Sequence, residues 1–278
     1  MAAPLGCGYG DLVLASSRAV DDEEEEEEAS QKPSPSAVLR WSTQAKQEIS
    51  ESPNDCIECS ALIVAIGPVA TGFIHTYLLH QETEILGMIG SGLSEDTCNT
   101  FEQTSPADAT CFLHRLKSAP SVIVCQCNVD IPPEMMFSWT QQLFSCINIH
   151  NTYVGILASA PVSEFRSSVS LSDVTVPFLR GLKTNQFHGK PVCPYLEQPN
   201  TAKGLPASVL THCQVYRVPA VLYMCYSDSI YVEIPAIKAF LPVLKGTPFR
   251  DIVQENPHAD ITLRKLVELR ALQNNLYT

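Results

Sequence analysis

The chain has 278 residues and a mass of 30.5 kDa, enough for one large domain or two small ones with a sizeable hydrophobic core. Hydrophobic residues make up 45% and charged residues 17%, which excludes a chain that stays unfolded throughout. The formal net charge of −12 is concentrated in the single run Asp21 to Glu28, and the remaining charge of about −4 disfavours a surface built to hold nucleic acid or anionic membrane.

In chain order, residues 1–54 combine this acidic run with Lys32-Pro33-Ser34-Pro35-Ser36 and a polar stretch ending at Ser52-Pro53-Asn54. So few apolar positions cannot offset the entropy of ordering, so a disordered acidic arm is predicted. Such a block serves as a solubilising tail, or as an electrostatic arm toward a basic partner. No basic region followed by a long apolar core opens the chain, and Leu12 to Ala15 is too short to act as a secretory signal.

From Ser60 the texture changes. Ala61 to Gly67 is a continuous apolar run closed by Gly67-Pro68, the pattern of a strand buried on both faces. Ser121 to Cys127, Tyr153 to Ala158 and Ala220 to Tyr226 repeat it. Helix-length patterns lie between them at Val69 to His80, Pro133 to Cys146 and Leu205 to Tyr216. Two further helices are predicted at Ile234 to Leu244 and Asp260 to Leu272. The second has Leu263, Leu266, Val267 and Leu272 on its apolar face and Asp260 placed to cap it. Val176 to Gly204, punctuated by Pro and Gly, reads as a long loop that is either functional or packed. Buried strands alternating with helices imply an α/β layered domain, with a mainly parallel central sheet flanked by helices. Ala61 to Leu79 approaches membrane-spanning length, but Gly67-Pro68, Gly72 and His75 divide it into strand, turn and helix, so no membrane span is expected.

Several of the eleven cysteines lie within apolar runs, as in Ile123-Val124-Cys125-Gln126-Cys127, and read as buried thiols of a reducing compartment. Cys56 and Cys59 have the spacing of half a zinc site or of a redox pair, but no second pair completes a metal site, and they precede a strand instead of opening a helix. Gly67 to Gly72 occupies the place of a phosphate-binding loop, yet Phe73-Ile74 stands where Lys and Ser or Thr are needed, leaving a tight strand-to-helix turn. The seven histidines are scattered; His75 and His80 fall on different helix faces, and no Gly-x-Ser-x-Gly elbow occurs. These absences leave no assignable catalytic, cofactor or metal residue. The chain ends hydrophobic-Tyr-any: Leu276 can fill a cleft, Tyr277 can stack with its hydroxyl bonded, and the carboxylate of Thr278 can pair with a lysine or accept backbone donors.

Several long strings resemble the proteasome α-ring assembly chaperone family. They are Pro177-Phe178-Leu179-Arg180 with Leu182-Lys183-Thr184, Cys193 to Asn200, Leu205 to Leu210, Pro219 to Tyr223, Cys225 to Asp228 and Asn275 to Thr278. The likeness extends upstream through Leu116-Lys117-Ser118 and Cys125-Gln126-Cys127, and covers roughly residues 55–278. It implies a non-catalytic chaperone that forms a heterodimer with proteasome assembly chaperone 2 and binds proteasome α-subunits. On the outer face of the seven-membered α-ring, such a pair promotes ring formation and prevents off-pathway association and premature activator docking. The resemblance further implies that Leu276, Tyr277 and Thr278 enter a pocket between α-subunits, with the Thr278 carboxylate near a pocket lysine. The organisation that follows is an acidic arm over 1–54, an α/β domain over 55–272 and an extended tail over 273–278. The expected location is cytoplasmic, with endoplasmic reticulum association or nuclear presence as alternatives. An α/β enzyme acting on a small metabolite, with its site at the carboxyl ends of the strands, is the competing reading.

Overall fold

A computed structural model describes residues 36–90, 110–149, 152–167, 174–229, 231–246, 250 and 256–275. The acidic run Asp21 to Glu28 and the tail Leu276 to Thr278 lie outside them.

The four apolar runs form the centre of an eight-stranded sheet. They are β3 (Ala61–Ile66), β6 (Ala119–Cys127), β8 (Tyr153–Pro161) and β10 (Ala220–Ser227). Their order is β6, β3, β8, β10, and every neighbouring pair among them is parallel. The expected parallel sheet is thus this central block, and the outer strands join it antiparallel. On one side β5 (Thr110–Leu116) pairs with β6, then β4 (Thr83–Gly90), then β1 (Val38–Trp41); on the other, β9 (Phe178–Lys183) closes the sheet against β10. The short strands β2 (Ile57–Glu58) and β7 (Ile147–Asn148) form a separate parallel pair.

Each continuous apolar run serves two cores because successive side chains leave opposite faces of a strand. From β3, Leu62 and Val64 enter one core while Ala61, Ile63 and Ala65 enter the other. The first core is covered by α3 (Pro133–Phe144) and α4 (Gly204–Val215), through Met135, Trp139, Leu143, Leu205 and Val209. The second is covered by α2 (Pro68–Tyr77), the short helices α5 (Ile234–Lys238) and α6 (Leu241–Lys245), and α7 (Ala259–Asn275). Phe73, Ile74, Ile237, Phe240 and Leu263 fill that second core. The result is helix, sheet, helix layering.

Three boundaries differ from the sequence expectation. Regular structure is already present before residue 55, because β1 pairs with β4 and α1 (Thr43–Glu51) follows it. Composition hid this segment, since α1 buries only Ala45, while Leu39, Trp41 and Ile49 pack half-buried against the first core; specific polar bonds add to that packing. Ala37 donates its N–H to Ser138 Oγ at 2.8 Å, Ser42 caps α1, and Arg115 grips Glu48 through two nitrogens, each at 2.8 Å. The helix expected over Ile234 to Leu244 is broken at Ala239-Phe240 into two short helices, with Pro235 and Pro242 each near a new helix start. Finally, α7 runs through Asn275, so the helix overlaps the first half of the tail predicted from 273.

The long stretch Val176 to Gly204 holds β9 and its cover. Gly181 donates to the Pro194 carbonyl and accepts from the Leu196 N–H, both at 2.9 Å, so the following segment shields part of the outer edge of the sheet. A Cβ on Gly181 would sit 2.9 Å from Pro191, which is why this crossing needs a glycine.

Candidate functional site

The tail that the sequence singles out is carried by α7, so the anchoring of α7 decides where the tail starts. Leu263 is fully buried in the second core, and Leu266 packs beside it. A Cβ placed on Gly72 would lie 3.2 Å from Ile237 and 3.4 Å from Leu266, so the glycine lets α2, α5 and α7 approach closely. Asn256 pins the entry to the helix: its Nδ2 donates to the Thr76 carbonyl at 2.7 Å, and its Oδ1 accepts from the His258 N–H at 2.9 Å. Asp260, expected as the cap, instead lies within the first turn, where its charge suits the helix dipole. It accepts from Lys238 Nζ at 2.8 Å, and this hydrogen bond and charge hold its carboxyl below the usual range.

Exposed apolar side chains lie on the same helix. Leu269 is 62% exposed and Ile261, on the outer face, 55%. The 17 residues of α7 span about 25 Å at the usual helical rise. Leu276, Tyr277 and Thr278 follow directly in sequence.

The competing site is a cleft of about 780 Å³ at the carboxyl ends of β3, β8 and β10, where a doubly wound sheet commonly binds ligands. Its wall includes Asp130, Glu164, Arg166, Lys203 and Tyr226, and none of its lining residues is histidine or cysteine. Lys203 lies 3.5 Å from Glu164, an exposed pair. Asn200 clasps the Arg166 backbone by accepting from its N–H and donating to its carbonyl, both at 2.7 Å. At one end of the cleft, Phe165, Phe178 and Tyr226 form an aromatic cluster; the Arg180 guanidinium lies 4.6 Å from the Phe178 ring centre and 3.1 Å from Glu197. Burial pushes the Tyr226 hydroxyl up, with the Glu164 and Glu197 charges adding to it. These walls are held by structural pairs, and no described hydrogen bond joins a hydroxyl to a basic partner in the manner of a nucleophile.

The remaining motifs resolve structurally. Gly67 caps α2 with φ 84°, a left-handed conformation that favours glycine, and its carbonyl accepts from the Thr71 N–H and hydroxyl. This is the tight turn expected there. Cys59 is buried, and burial raises its thiol to about 12; Cys56 is raised by burial and by nearby Cys146. Metal ligation requires thiolates, which this setting disfavours. Among the described residues, no group of three or more His, Cys, Asp or Glu could hold a metal ion, and no helix is long and apolar enough to cross a membrane.

Sequence reading singled out Leu276 to Thr278, which lie outside the described residues, but missed what anchors the helix before them. Asn256 and Gly72 are the residues that fix α7, and nothing in their local pattern reveals a contact with a helix 180 residues away.

A family model described as proteasome assembly chaperone 4 and designated PAC1 matches residues 5–278. Proteasome assembly chaperone 1 of Xenopus laevis is 35% identical over 241 residues, covering 86% of this chain and 84% of that one. Its counterpart in Danio rerio is 32% identical over 278 residues, covering 97% and 99%. Among solved structures, Pyrococcus furiosus PbaA, an archaeal homolog of proteasome-assembly chaperone, matches with a TM-score of 0.55 at 10% identity, over 87% of this chain and all of that one. At that identity the likeness is one of fold.

Proposed function

The chain belongs to the PAC1 family of proteasome assembly chaperones and its role is in proteasome assembly; from that premise we propose that it acts as one half of a heterodimer with a second assembly chaperone. The pair binds α-subunits in the cytoplasm, promotes formation of the α-ring, and blocks off-pathway ring association and early activator docking. It has no catalytic step of its own. The observation that carries the reading is the family match along nearly the whole chain, joined to a helix that is fixed at one end and leads directly into Leu276, Tyr277 and Thr278.

In this reading Leu276 and Tyr277 fill an α-subunit pocket, and the Thr278 carboxylate pairs with a lysine there. A fixed helix helps because a tail presented from a rigid base loses less freedom on binding than a free one. Losing one member of a desolvated charge pair costs about 2–5 kcal/mol. The folded domain supplies a second contact, so loss of the tail weakens binding without ending it. The test is a binding titration of the chain lacking Leu276 to Thr278 against isolated α-subunits, in which affinity should fall by about tenfold or more. Unchanged affinity would remove the tail from the account.

A further inference from the structure

We propose that Cys111 and Cys127 are a site of reversible disulfide formation that links β5 to β6. The two sulfur atoms lie 3.1 Å apart, and both side chains are fully buried. They face each other across an antiparallel ladder, one step beyond the Phe112 and Gln126 pair. Residues directly opposite in such a ladder have Cα atoms about 4.5–5.5 Å apart, inside the range that a disulfide bridges without backbone movement. Among the described residues this is the one pair of cysteine thiols at hydrogen-bonding distance.

Position in the ladder supplies the route to reaction. Cys111 is the second residue of β5 and Cys127 the last of β6, and with Ile89 of β4 and Ile66 of β3 paired beside them the two thiols react only when these strand ends open together. In the closed state the Cys111 thiol is held protonated, first by its contact with Cys127 and then by burial. Oxidation therefore proceeds through brief opening of the strand ends. In the open state, the thiolate of one cysteine attacks a small-molecule disulfide of the glutathione class, forming a mixed disulfide and releasing one thiolate, which takes up a proton. The second cysteine then loses its proton and attacks the protein sulfur of the mixed disulfide. The second small thiol leaves and is protonated in turn. Two protein thiols and one small disulfide become one protein disulfide and two small thiols.

Trp139 on α3 provides an internal reporter. Its indole N–H has no oxygen or nitrogen acceptor and lies near enough to Cys111 to favour the thiolate, opposing the effect of burial. A disulfide beside an indole quenches its emission.

The experiment incubates the folded full chain with oxidised glutathione, blocks residual thiols by alkylation, and maps the peptides by mass spectrometry. The expected product has lost two hydrogen masses in a single linkage between the peptides bearing Cys111 and Cys127, with a fall in tryptophan emission, and excess reducing thiol reverses both. Cys125→Ala retains the linkage and Cys127→Ala loses it; the unsubstituted chain decides the matter should either variant fold poorly. Glutathione adducts without a linkage, linkages spread over other cysteines, or an unreacted Cys111 would each overturn the proposal.

Discussion

Asn256 Nδ2 donates to the main-chain carbonyl of Thr76 at 2.7 Å, joining residues 180 apart in sequence and fastening the start of α7 to α2. The same side chain accepts from the His258 N–H at 2.9 Å, so one residue both anchors the segment and orders the turn that opens the helix. The placement of the first turn of α7 depends on this junction.

Asn256→Ala removes both bonds and leaves the partly buried Thr76 carbonyl short of a donor. A loss of about 1–2 kcal/mol is expected in denaturant unfolding, accompanied by faster amide exchange along residues 259–269. Unaltered exchange there would mean that packing alone holds the helix.

Leu263 and Leu269 lie on one helix with opposite exposure, 0% and 62%. Leu263→Ala should cost about 2–5 kcal/mol through lost burial and a cavity in the second core. Leu269→Ala should stay within about 0.5 kcal/mol. Paired thermal or denaturant melts check the contrast; similar costs at both sites would contradict this placement of α7.

Gly87 tests the pairing of β1 with β4. A Cβ there would lie 2.6 Å from the Arg40 carbonyl oxygen and 3.1 Å from the Trp41 ring, and the first of these is backbone. Gly87→Ala should destabilise by about 1–3 kcal/mol in the full chain and by much less in a chain starting after residue 54, where β1 is missing. Equal costs in both would place β1 away from β4.

Burial lowers the pKa of His80, His114 and His212. The folded state therefore binds their protons less readily than the unfolded chain, whose imidazoles titrate near 6.5. Their stabilising contribution is present above that value and is lost as the pH falls through the lower folded values. The denaturation midpoint should hold steady above neutrality and decline below about pH 6.5, with a shallower decline in His114→Gln. Asp260, held low by Lys238, contributes only to a separate loss below 3.8. A midpoint that rises on acidification through pH 6 would contradict the sign.

The parts of the fold legible in sequence are those governed by bulk burial. β3, β6, β8 and β10 are continuous apolar runs because both faces are covered, and the helices between them carry apolar faces. Most of the antiparallel outer strands were hidden because they mix polar residues among apolar ones. His114 and Arg115 sit within β5, Arg180 and Gly181 within β9, and β1 is only half-buried throughout. Their pairing is set by neighbours distant in sequence, such as Gly87 opposite Trp41. The candidate site divides likewise. Leu276, Tyr277 and Thr278 stand out as a chemical pattern at the end of the chain, whereas the Asn256 anchor and the Gly72 contact exist only once α2, α5 and α7 are packed together.

The central claim is that this chain works by binding a second chaperone and proteasome α-subunits. Its most direct test is recovery of the chain from cell extract through an N-terminal affinity tag, leaving Leu276 to Thr278 untagged, with mass spectrometry of the stoichiometric partners. The account predicts one small chaperone and α-subunits, without mature activators. Recovery of the chain alone, or only with copies of itself, would contradict it.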